Sequence, residues 1–151
     1  MVKSVLFDLM EDPKLQGVTP GVLMAMHTWG RQLNLHPHIH CIVTGGGVDQ
    51  SNQWKDTGKF LLPARVVRKL YKGRFSAEIK RALESGELRL PPDHTVGQSM
   101  NLVKRTDRKI WCVKIEEQYA HGKGVLLYLS RYLRGGSISP KQIVRLSLIH
   151  I

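Results

Sequence analysis

Cysteine is scarce in this chain: Cys41 and Cys112 are its two thiols. Two cysteines without a repeated spacing make neither a disulfide framework nor a zinc site, so both are expected to be buried thiols of an intracellular protein. Long apolar runs are missing too. None approaches the roughly 18 residues that a membrane span needs. The stretch Met1–Met10, with one lysine, an acidic Asp8 and no small-residue cleavage site, does not read as a signal peptide. There is no internal repeat and no low-complexity tract. Acidic residues are also few: 12 Asp and Glu stand against 23 Lys and Arg, a net charge of +11 and a pI near 10.0. That balance favours a polyanionic partner, nucleic acid ahead of an acidic membrane. What remains, 42% hydrophobic and 23% charged residues over 151 positions, suits one globular domain with a core.

The chain is organised around Leu33-Asn34-Leu35-His36-Pro37-His38-Ile39-His40-Cys41-Ile42-Val43-Thr44. At the two-residue period of a strand, His38, His40 and Ile42 lie on one face, and Ile39, Cys41 and Val43 on the other. The second face is apolar enough to pack on a core. The first holds two imidazoles about 7 Å apart at strand rise, close enough to bind one divalent cation. Surface histidines on an edge strand are the plainer alternative.

Around this strand the pattern is mixed. Residues 1–16 read as a short helix or strand without neighbours. Thr19-Pro20 gives a helix start, and Val22, Leu23, Met26, Gly30 and Leu33 follow at helical spacing, which predicts a helix over 20–33 carrying His27 and Trp29. The histidine strand is expected at 38–44, with Gly45-Gly46-Gly47-Val48-Asp49 as a turn and Gln53-Trp54-Lys55 as a short return strand. Leu62-Pro63 opens a helix over 63–84, on which Arg65, Arg68, Lys69 and Lys72 share one face, a phosphate-tracking surface or a solvated one. Residues 85–108 read as loop, and Lys109–Ile115 as a second strand. A last helix, 125–134, is closed by Gly135-Gly136. Val125, Leu126, Leu129 and Leu133 form its apolar stripe, Tyr128 and Tyr132 sit side by side along the edge, and Arg131 projects beside them.

A phenol oxygen is a weak nucleophile, with an unperturbed pKa of about 10. Beside a metal that polarises a phosphodiester it can attack phosphorus in line and keep the 5′ end as a phosphotyrosine. Two tyrosines on one helix face would hold two strands in turn.

His38-Ile39-His40 together with Tyr128-x-x-x-Tyr132 resembles the two-tyrosine branch of the HUH single-strand DNA nucleases, in particular the rolling-circle insertion-sequence transposases. The flanks His27-Thr28-Trp29-Gly30-Arg31 and Leu35-His36-Pro37 extend the likeness, which runs from about Asp12 to Ser139. The resemblance implies an α+β fold, an HUH-nuclease-like antiparallel sheet flanked by helices, with the histidine strand in mid-sheet. It implies His38 and His40 as ligands of Mg²⁺ or Mn²⁺, and Tyr128 and Tyr132 as nucleophiles. Arg65, Arg68, Lys69, Lys72, Arg131 and Arg134 would hold single-stranded DNA, the transposon ends and target. Neither a membrane nor a small-molecule cofactor is implied, and the setting would be the prokaryotic cytoplasm, at the nucleoid. A third ligand is not assigned; His27 and His121 are candidates.

The chain also departs from that family. Its cysteine-rich zinc-binding segment has no counterpart here, and the strand that should open the sheet is missing. Leu146-Ser147-Leu148-Ile149-His150-Ile151 is what a widely used sequencing-library adapter end reads when translated. The expectation is therefore a nuclease domain over 1–145, incomplete at both ends, with a foreign tail over 146–151. Two rivals fit part of the pattern. One is a non-catalytic DNA-binding remnant of such a transposase. The other is a histidine-triad nucleotide hydrolase using His38 as nucleophile, which leaves the tyrosine pair and the charge unexplained.

Overall fold

The computed structural model describes residues 1–30, 32, 34–58, 61–116, 118–119 and 122–132. In chain order these form α1 (Val2–Glu11), β1 (Thr19–Trp29), β2 (Leu35–Val48), β3 (Trp54–Asp56), α2 (Ala64–Glu84), α3 (Val96–Asp107) and α4 (Gly122–Tyr132). The fold is α+β, as expected, with a three-stranded antiparallel sheet of order β1-β2-β3 flanked by helices. Two compact units divide it: Met1–Pro20 with Gly45–Glu117, and Gly21–Thr44 with Gln118–Ile151.

The first unit holds the buried core. Val5, Leu6, Leu9 and Met10 share one face of α1 at helical spacing and are all buried, together with Val18, Leu62 and, on α2, Val67 and Leu83. α1 packs on α2, and Asp8 and Arg74 bind each other across them at 2.5 Å. Gly17, at φ +65°, lets the chain reverse after α1, its N–H donating to the Asp12 carbonyl at 3.0 Å.

α2 begins after Pro63, as its sequence predicts. α3 corrects the expectation of a loop over 85–108. The prolines and glycines there outweighed the Thr95-x-x-Gln98 pattern, which forms a complete capping box: the Gln98 N–H donates to the Thr95 hydroxyl, and the Thr95 N–H to the Gln98 side chain. α3 has no buried residue among the described ones and is held at its far end by α2. Lys72 donates to the carbonyls of Asp107 and Lys109, the Ser76 hydroxyl to the Asp107 carboxylate, and Lys80 approaches the same carboxylate at 3.4 Å.

Four further expectations are corrected. Residues 109–115 form no strand: Trp111 turns onto Tyr71 and Phe75 of α2, at ring distances of 5.7 and 5.0 Å, and a strand-like sequence needs a partner to become one. Cys112 there is exposed rather than buried, whereas Cys41 is half-buried. The helix expected over 20–33 is replaced by a strand, Thr19–Trp29, whose half-buried positions are Val22, Ala25, His27 and Trp29, the last three in alternation. The sheet ladder overrides a helical spacing that four apolar residues matched. Finally, Gly45-Gly46-Gly47 is no turn but the end of β2, paired with β3 through Gly46↔Asp56 and Gly47↔Lys55. The turn follows it, where the Asp49 carboxylate accepts from the N–H groups of Ser51 and Gln53 and Asn52 takes φ 59°. The glycines serve close approach: a Cβ on Gly46 would sit 2.5 Å from the Lys55 carbonyl oxygen, and one on Gly47 would strike the Thr19 backbone.

Gly47→Ala should therefore cost about 1–3 kcal/mol of stability. Gly73→Ala, inside α2 with open space around its Cβ, should add about 0.5–1 kcal/mol. Denaturant melts of both variants check the opposite signs. A second outcome concerns pH. The Ser76 hydroxyl, with Lys80 and Lys72, holds the Asp107 carboxyl below its usual range. Its contribution to stability is present above the unfolded-state value and is lost as pH falls through the lower folded-state value. Asp107→Asn should then lower the urea midpoint at neutral pH, with the gap to the parent closing in acid.

Candidate metal centre

The second unit is built on the β1–β2 hairpin. At its tip the Gly30 N–H donates to the Asn34 carbonyl at 2.9 Å, and further along the Gly21 N–H donates to the Thr44 hydroxyl at 2.9 Å. That register sets His27 of β1 beside His38 of β2. The two-residue strand period then brings in His40 on the same face. Ring centroids lie 5.4 Å apart for His27–His38, 4.9 Å for His27–His40 and 4.9 Å for His38–His40. One nitrogen from each of the three lies within 4.8 Å of the others, and all three side chains are half-buried. Two metal–nitrogen bonds of about 2.1 Å span little more than 4 Å, so the rings would close in slightly on an ion.

Each ring is prepared differently. The His38 Nδ1–H donates to the His36 carbonyl at 2.7 Å. A carbonyl only accepts, so this bond leaves the lone pair on His38 Nε2. Burial, and then the neighbouring charges of His38 and His27, hold the His40 imidazole below its usual range. It is thus kept in the neutral form that binds metals. Trp29 stacks flat on His27, 5.5 Å between centroids and 6° between planes. The fourth histidine, His36, is exposed, its ring 5.1 Å from that of His38. The donor set is a possible metal site of three imidazoles.

His38 and His40 were legible as a pair from the strand period; His27 was weighed only as a candidate because its segment read as a helix. The strand alternation of Ala25, His27 and Trp29 was the signal available. The reading of Ile39, Cys41 and Val43 as a core face is corrected in part, since Ile39 is 40% exposed while the other two are half-buried. α4 carries positions 128, 131 and 132, with Tyr128 and Tyr132 one helical turn apart, and α4 and the histidine hairpin fall in the same unit. Leu126, expected in its apolar stripe, is 67% exposed. On α2, Arg65 and Lys69 are exposed, Arg68 is half-buried, and Lys72 binds the carbonyls at the end of α3. Arg134, His121, Leu133, Gly135-Gly136 and the tail 146–151 lie outside the described residues.

A family model described as "Putative transposase" matches residues 21–148. The chain is 32% identical over 139 residues to "Putative transposase y4qJ" of Sinorhizobium fredii, covering 88% of this chain and 35% of that protein. It is 30% identical to the "Transposase for insertion sequence element IS801" of Pseudomonas savastanoi pv. phaseolicola, covering 86% of this chain and 32% of that protein. The chain thus spans about a third of the length of these curated relatives. No solved structure matches it. None of the described helices is long and apolar enough to cross a membrane.

Replacing His27, His38 or His40 by alanine should each weaken Mn²⁺ or Co²⁺ binding by more than the roughly 10–100-fold that an outer partner is worth. His36→Ala, which keeps the backbone carbonyl, should leave it largely intact. Isothermal titration, or the visible spectrum of the Co²⁺ form, reads both.

Proposed function

Because the chain belongs to the transposase family described as "Putative transposase", we propose that it carries part of a centre that nicks single-stranded DNA and rejoins it through a 5′-phosphotyrosine, in rolling-circle transposition. The observation that carries this reading is the half-buried trio His27, His38 and His40 in the same compact unit as the tyrosine helix.

The three imidazoles would hold one divalent cation. A nitrogen-only donor set suits Mn²⁺ better than Mg²⁺, which prefers oxygen. When bound, the cation supplies Lewis-acid polarisation of the scissile phosphate. The protein's own groups do the rest. The His36 carbonyl fixes the His38 tautomer, and burial keeps His40 neutral. The phenol oxygen of Tyr128 or Tyr132 gives up its proton and attacks phosphorus in line. The bond to the 3′ oxygen breaks, that oxygen takes a proton, and the 5′ phosphate stays on the tyrosine. Attack by another 3′-OH reverses the step without ATP. The second tyrosine, one turn away, holds the other strand meanwhile. Arg65, Arg68 and Lys69, with Arg131 and Arg134 around the tyrosine helix, neutralise the DNA backbone. Such a protein acts on DNA in the prokaryotic cytoplasm, at the nucleoid.

Incubation with labelled single-stranded DNA and Mn²⁺, followed by a denaturing gel and mass mapping, tests this. A covalent 5′ adduct on Tyr128 or Tyr132, lost with chelator, is the expected result. The double change Tyr128→Phe/Tyr132→Phe should abolish the adduct, as should His38→Ala or His40→Ala, while DNA binding persists. An adduct that survives the double change overturns the choice of nucleophile. Binding with no adduct on the folded chain identifies a DNA-binding remnant instead.

A further inference from the structure

Several cations of the first unit sit beside carboxylates. Arg74 is paired with Asp8, Lys80 with Asp107, Arg81 with Glu78 and Glu87, and Lys114 with Glu116. Arg65 and Lys69 on α2, and Lys104, Arg105, Arg108 and Lys109 around the end of α3, are all exposed, and none of the six pairs with a carboxylate among the described residues.

Two contacts set these two groups of cations beside each other. Arg65, Lys69 and Lys72 follow one another at i, i+4 and i+7 on one face of α2, over about 10 Å of helix axis. Lys72 then reaches the carbonyls of Asp107 and Lys109, which sets the end of α3 against that face. The only acid within 104–109, Asp107, is drawn off by the Ser76 hydroxyl and Lys80. Its charge is therefore taken up on α2, while its four basic neighbours face solvent.

We infer that Arg65, Lys69, Lys104, Arg105, Arg108 and Lys109 form a sequence-independent binding surface for the DNA sugar-phosphate backbone, within the unit that does not contain the histidine trio. Charge complementarity selects the occupant: an uncompensated cationic strip of this length matches a run of phosphates spaced a few ångströms apart. The inference rests on the transposase reading and extends the DNA grip of Arg65 and Lys69 to the cations around the end of α3. Lys72 has a different task, closing the end of α3.

The test measures DNA affinity of the 151-residue chain against salt, with a single-stranded oligonucleotide and its duplex as separate probes. Arg105→Gln/Arg108→Gln/Lys109→Gln and, independently, Arg65→Gln/Lys69→Gln are compared with a control, Lys3→Gln/Lys14→Gln/Arg89→Gln. The control removes three exposed charges from the same unit. For the α3 variant, the slope of log affinity against log salt should fall by about 2 on at least one probe, at roughly 0.7–0.9 per phosphate contact. The α2 variant should lose about 1 to 2 on the same probe, and the control should lose less than either. Which probe responds distinguishes single strand from duplex. Unchanged slopes on both probes, or an equal loss in the control, overturn the inference while leaving the histidine site untouched. If the unsubstituted chain binds neither probe, the transposase reading fails with it. Circular dichroism confirms that each variant is folded, and Co²⁺ binding at the histidines should be the same in all.

Discussion

The pairing of β1 with β2 is the constraint on which the candidate chemistry depends. A helix over 20–33 would leave His38 and His40 as two imidazoles on one strand. Hydrogen bonds near both ends of the hairpin, one between Gly30 and Asn34 backbone groups and one from the Gly21 N–H to the Thr44 hydroxyl, fix a register in which His27 meets them. A two-residue slip would carry His27 away from its partners, and a one-residue slip would turn it to the other face. The close approach at Gly46 and Gly47 serves the same sheet, since side chains there would collide with the flanking backbone.

The first unit solves a different problem, that of holding helices together in a chain with a large excess of positive charge. Two of its carboxylates link helices: Asp8 joins α1 to α2, and Asp107 joins α3 to α2. Individually such exposed pairs contribute little, about 0–1 kcal/mol. Their placement nevertheless decides which cations are compensated and which are left for a polyanion. The buried apolar face of α1 against α2 supplies the larger hydrophobic gain.

Much of this was legible before any coordinates. The alternation in His38-Ile39-His40 marked a strand, Pro63 marked the start of α2, and Trp54 marked a short return strand, because each signal is local and acts through fixed backbone geometry. The failures share a cause. The segment 20–33 fits two periods, and 109–115 looks like a strand but finds its place by packing Trp111 on Tyr71 and Phe75. Only non-local partners resolve such ambiguity. α3 was missed although its capping box is a local signal, since nearby glycines and prolines masked it.

The sequence by itself determined the chemistry on offer: a basic chain, two histidines at strand spacing, and two tyrosines at helical spacing. These follow from composition and from the periods of strand and helix, which no tertiary context alters. The tertiary structure decided which groups meet. It added His27 to the pair, drew Asp107 and Lys72 into the joint between α2 and α3, and left Arg105, Arg108 and Lys109 exposed without acidic partners among the described residues. Register and helix docking depend on contacts between residues far apart in the chain, and spacing along one segment cannot encode them.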